Sequence, residues 1–75
     1  MPLFTDEKKK EIKYNIVMIL SVNNILSINH IRLLLDDKGI VISWRTVKRY
    51  LDELVDEGLL TMFNISTIYC YSIKN

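Results

Sequence analysis

The chain has 75 residues, 49% of them hydrophobic, with ten Lys and Arg against nine Asp and Glu, and only two Gly, one Pro and one Cys. That is room for one domain with one core, and it excludes disorder, collagen-like repeats and a disulfide scaffold, because Cys70 has no internal partner. A formal charge of +1 argues against a strongly basic coat protein, and the longest apolar run, Ile16 to Leu20, is far short of the roughly 20 residues of a membrane span.

The first segment predicts a helix over about 6–21. Thr5 is its candidate N-cap, and Asp6 and Glu7 suit the positive end of the helix dipole. Ile12, Ile16, Ile19 and Leu20 form a stripe at helical spacing. Tyr14, Val17 and Met18 lie off that stripe, so the second half is apolar nearly all round and needs cover on two sides. In so short a chain the second cover is expected to be another copy, which makes Tyr14, Val17 and Met18 candidate dimer contacts. Ile25-Leu26-Ser27 then reads as a short extended stretch with Ser27 capping a second helix, about 28–37. Ile28, Ile31, Leu34 and Leu35 are its buried face, and Gly39 stands where a left-handed residue would end it. Ile40 to Ile42 runs extended to Ser43, the N-cap of a third helix, about 44–57, whose buried stripe is Val47, Leu51, Leu54 and Val55. Gly58 ends that helix. Leu59 to Phe63 and Thr67 to Ile73 are rich in β-formers and flank a polar turn, which predicts a hairpin over about 59–73. Alternation puts Tyr69, Tyr71 and Ile73 on one face and Ile68, Cys70 and Ser72 on the other, without deciding which is inside. The sum is an α+β domain spanning the chain: three helices, a short strand between the first two, and a C-terminal hairpin.

That order, with the spacing Ser43…Thr46-Val47…Leu51…Leu54…Gly58-Leu59-Leu60, resembles the winged helix-turn-helix family of DNA-binding proteins over about Ile12 to Ile73. In size it resembles the minimal transcriptional regulators of archaeal viruses and plasmids. The resemblance implies that helix 44–57 is the recognition helix and hairpin 59–73 the wing. It further implies double-stranded DNA as partner, read by a homodimer with recognition helices in successive major grooves about 34 Å apart. Two features depart from the pattern. The turn from Asp36 to Ser43 is longer than in the simplest helix-turn-helix proteins, and the wing tip, Asn64-Ile65-Ser66-Thr67, carries no charge.

The position of the charges is more informative than their total. Residues 43–51 hold Arg45, Lys48 and Arg49 with no acid, whereas 52–58 hold Asp52, Glu53, Asp56 and Glu57 with no base. Helix electrostatics favours the reverse, with acids at the N-terminal end and bases at the C-terminal end. A local rule broken in this way points to a functional site. Placed in a major groove, the helix start would offer Arg45 and Arg49 to base edges, with Thr46 also in reach. Lys48 and the Ser43 hydroxyl would hold phosphate, and Trp44 would meet a thymine methyl or sugar or pack on the helix edge. The acidic half would face away from DNA and discourage wrong orientations. Weaker candidates are Asn64, Ser66 and Thr67 on the wing, and Lys8, Lys9 and His30 for backbone phosphate.

Catalysis finds no support: one His and one Cys stand far apart, and no glycine-rich phosphate loop exists. No metal, cofactor or small-molecule ligand is expected. Cys70 reads as a small strand hydrophobe, with an intersubunit disulfide as the alternative. The N-terminal residues lack the basic and apolar regions of a signal peptide, so a cytoplasmic setting is expected. The rival to DNA binding is a winged-helix module that docks on a protein partner; an RNA-binding role is weaker, because no basic and aromatic strand surface is visible.

Overall fold

Each helix begins at a hydroxyl that satisfies a backbone donor one turn on. In this computed structural model, which describes residues 5–74, α1 runs Asp6–Val22, α2 Ile28–Asp37 and α3 Trp44–Asp56. Residues 1–4 and 75, included in the expected single domain, lie outside the described residues. Oxygen Oγ1 of Thr5 accepts from the Lys8 N–H at 3.1 Å, Oγ of Ser27 from His30 at 3.3 Å, and Oγ of Ser43 from Thr46 at 3.2 Å. Ser27 also closes the two-residue strand β1, Leu26–Ser27.

Two helices end on a glycine at positive φ, Gly39 at 83° and Gly58 at 82°. After α2, the Gly39 N–H reaches Asp36 O and the Ile40 N–H reaches Leu35 O. After α3, Gly58 reaches Val55 O and Leu59 reaches Leu54 O. These paired bonds are the Schellman arrangement, which an L side chain at the glycine position would strain.

The hairpin consists of β2, Leu60–Ile65, and β3, Ile68–Ile73. Its turn is shorter than the expected one between Phe63 and Thr67 and takes in Thr67, the residue expected to open the second strand. Ile65 pairs with Ile68, so the connection is Ser66-Thr67 alone, and Asn64 is a strand residue paired with Tyr69. Both turn residues have positive φ, 50° and 66°, the conformation whose twist matches that of the flanking strands. Strand β1 pairs with β3, Leu26 opposite Tyr71, giving an antiparallel sheet of order β1-β3-β2.

The sheet also decides the face that alternation left open. Tyr71 is completely buried and Ile73 packs against the core. Their face closes over Ile12, Ile16 and Leu20 of α1, Ile31 and Leu35 of α2, and Val47, Leu51 and Leu54 of α3. The α1 stripe is buried as expected. Of the three residues off it, Val17 packs half-buried against the same core, while Tyr14 and Met18 are exposed. Leu34, expected on the α2 core face, is half-buried at its edge.

Candidate nucleic-acid interface

The start of α3 is held by its cap and leaves its cations outside. The Ser43 hydroxyl accepts from the Thr46 N–H and donates to Thr46 Oγ1 at 3.0 Å. Thr46 itself is only 7% exposed. Both hydroxyls expected at DNA are thus engaged in fixing the first turn, and Thr46 faces inward. Arg45 and Arg49, one turn apart, are both exposed. Trp44 precedes them with 42% of its surface open.

The acidic half of the helix has partners that the sequence pattern did not reveal. Glu53 lies 2.8 Å from Lys9 Nζ and 2.9 Å from Lys13 Nζ, and Glu57 lies 2.8 Å from Lys13. These pairs tie α1 to the second half of α3. Hydrogen bonds from Lys9 and Lys13 hold the Glu53 carboxyl below its ordinary 4.5. Burial works against the charge on Lys13, but its bonds to Glu57 and Glu53 outweigh that and raise its pKa above 10.5. The reversed charge pattern of α3 therefore has a structural component, since Glu53 and Glu57 answer lysines on another helix.

Asp52 joins α3 to the wing. Its Oδ1 accepts from the Tyr71 hydroxyl at 2.8 Å and its Oδ2 from Lys48 Nζ at 2.7 Å. Burial, together with the bond to Asp52, pushes the Tyr71 phenol above its ordinary value of 10.0. Lys48 Nζ also stands 5.0 Å from the centre of the Tyr69 ring. Lys48, expected at phosphate, is thus already held on two sides. Among the described residues, Arg45 and Arg49 are the α3 cations with no carboxylate within ion-pair distance.

Other expected contacts divide between two neighbourhoods. The starts of α2 and α3 and the wing tip surround an open depression of about 330 Å³, where Trp44 and Thr67 come together beside Ile28 and Asn29. Asn64, Ser66 and Thr67 are exposed on the wing, and His30 is exposed in the first turn of α2. Lys9 comes close to Arg49 through Tyr50, whose ring centre lies 5.5 Å from Lys9 Nζ and 5.7 Å from the Arg49 guanidinium carbon. Lys8 is paired instead with Glu11 at 3.4 Å. Tyr50, Asp52, Tyr69 and Tyr71 were not among the expected site residues. Tyr69 and Tyr71 share one strand face, but nothing local in the sequence pairs that face with Asp52.

Among the described residues no group of His, Cys, Asp and Glu is placed to hold a metal, and no helix is long and apolar enough to cross a membrane. Comparison with known proteins gives no matching family model, no similar curated protein and no similar solved structure. The architecture is winged-helix-like: three helices followed by an antiparallel hairpin in a three-stranded sheet.

Proposed function

We propose that the chain binds double-stranded DNA in a sequence-specific manner, as a small transcriptional regulator, through the start of α3. One observation carries the reading. Of the acids in and just after α3, Asp52, Glu53 and Glu57 are engaged by internal partners, whereas Arg45 and Arg49 have no carboxylate within ion-pair distance among the described residues and stand exposed one turn apart. Local fields therefore favour an anion at the helix start despite the chain's formal charge of +1. Guanidinium groups suit the bidentate O6/N7 edge of guanine as well as phosphate, and the capped first turn holds them at a defined angle. Trp44 and Thr67 of the wing tip line a depression beside the helix start. Dimerisation would place two such helices on a two-fold symmetric site.

Selection of bound sequences from random duplex DNA, followed by a salt titration on the selected site, tests this. Each phosphate neutralised contributes a slope of about −0.9 in log K against log salt. Arg45→Ala is expected to lower specific affinity by ~1–3 kcal/mol and to relax one base position. No selected sequence, or an Arg45→Ala protein that binds like the parent, refutes the reading. The second reading, a protein-docking module, is favoured by the uncharged wing, and salt-insensitive association with a partner protein would support it.

A further inference from the structure

The fold leaves its outermost strand open. In the order β1-β3-β2, strand β2 is bonded along one side only among the described residues. The two-residue turn makes Ile65 and Ile68 a hydrogen-bonded pair, and such pairs alternate along an antiparallel ladder. Phe63 with Cys70 and Thr61 with Ser72 are then bonded pairs as well, and the N–H and C=O groups of Met62 and Asn64 point away from β3. No turn, loop or cap hydrogen bond among the described residues engages either of them.

Among the described residues this edge has none of the charges, prolines or bulges that usually protect one. Sheets shield free edges with lysines, prolines, bulges or a covering element. From Leu59 to Ile73 there is no charged residue and no proline; all ten Lys and Arg and all nine Asp and Glu lie elsewhere. Strands β2 and β3 pair residue for residue without a bulge. The outer face of the hairpin adds apolar area, with Phe63 42%, Ile65 52% and Ile68 54% exposed.

We propose that β2 pairs with β2 of a second copy, antiparallel across a two-fold axis, to form a continuous six-stranded sheet. An antiparallel edge is complementary to itself, so one sequence supplies both sides. With Phe63 at the axis, Met62 of each copy lies opposite Asn64 of the other, so their outward N–H and C=O groups bond each other, and the two Phe63 rings face one another, an aromatic pairing that sheets favour. A charge-free seam selects a charge-free partner, because a charged surface would be desolvated there without counter-charge. The hairpin of a second copy meets that condition. The expected α1 contact is less well suited: Val17 is used by the chain's own core, and exposed Tyr14 is bordered by Lys10 and Lys13. This assignment is independent of the DNA reading, and its test uses no DNA.

The experiment is sedimentation equilibrium of the full chain from ~10 μM to ~1 mM at low and high salt, with amide exchange followed over the same series. A small seam of this kind belongs to the weak, reversible class of interface. The expected result is a monomer–dimer equilibrium insensitive to salt, with exchange at Met62 and Asn64 slowing as concentration rises. Phe63→Lys and Asn64→Pro should each raise the dimer Kd by about tenfold or more, while Tyr14→Lys leaves it unchanged. Circular dichroism checks that each variant is folded, and Phe63→Lys, at an exposed position, decides the matter if the proline variant is not. A chain monomeric throughout, a dimer that survives Phe63→Lys, one that dissolves on Tyr14→Lys, or capture of a different protein by a monomer overturns the proposal.

Discussion

Tyr71→Phe removes a single oxygen from the most deeply buried aromatic of the domain, and the structure sets the size of the effect. The ring is completely buried and its hydroxyl donates to Asp52 at 2.8 Å. Phenylalanine keeps the packing, so no cavity penalty applies. A hydrogen bond to a charged group contributes about 1.5–3 kcal/mol in general. Here Asp52 is half-exposed and keeps Lys48 at 2.7 Å, so its carboxylate is not stranded and the loss should be near 1–1.5 kcal/mol. Asp52→Ala is expected to cost more, about 2–3 kcal/mol, because it leaves the buried Tyr71 hydroxyl without an acceptor. The double variant should then be less destabilised than the two single losses combined, by roughly 1 kcal/mol. Urea unfolding followed by far-ultraviolet circular dichroism measures all three.

The same bond has a pH signature. Its folded pKa is raised, so the protonated phenol is favoured in the folded state. The corresponding stability is complete below the unfolded value of 10.0 and is lost as pH rises beyond it. Tyr71→Phe should remove that part of the alkaline loss. A neutral Tyr71→Phe, an additive double variant, or an alkaline limb unchanged by the substitution would refute the reasoning.

Three further outcomes are expected. Thr67→Gly should stabilise the domain by about 0.5–1 kcal/mol in thermal or urea unfolding, because relief of a β-branched residue at φ 66° exceeds the entropy that glycine adds to the unfolded chain. Gly58→Ala should destabilise by about 1–2 kcal/mol through backbone strain alone, since a Cβ there would meet nothing within 4 Å. Glu53→Gln should flatten the acid limb of the stability curve: the lowered pKa of Glu53 means its contribution is present above 4.5 and is lost as pH falls through the folded value, and acid titration of both proteins checks this.

Charge order on α3 shows how a local pattern can carry two causes at once. Read along the chain, Arg45, Lys48 and Arg49 followed by Asp52, Glu53, Asp56 and Glu57 is an electrostatic fault with a functional explanation. In the folded chain Glu53 and Glu57 are answered by Lys9 and Lys13 of α1, far away in sequence, as the Lys13–Glu57 separation of 44 makes plain. The functional reading therefore contracts from the whole gradient to Arg45 and Arg49. The exposed Trp44 remains with them, while Thr46 turns inward to its cap.

What the amino-acid order determined by itself was everything governed by short-range rules. Caps at Thr5, Ser27 and Ser43, glycine exits at Gly39 and Gly58, the α1 stripe and the three-helix-plus-hairpin succession all follow from hydrogen-bond satisfaction and periodicity within a few residues. Tertiary structure alone decided which hairpin face is inside, because strict alternation is symmetric until β1 and the helices cover one side with Tyr71. It also decided that Ser66-Thr67 suffices as a turn, since cross-strand pairing of Ile65 with Ile68 holds two residues at positive φ that neither would choose in isolation. Finally, it decided which charges are free. Coulombic and hydrogen-bond partners act through space, so whether a cation on α3 faces outward or is held internally depended on where α1 and β3 came to rest.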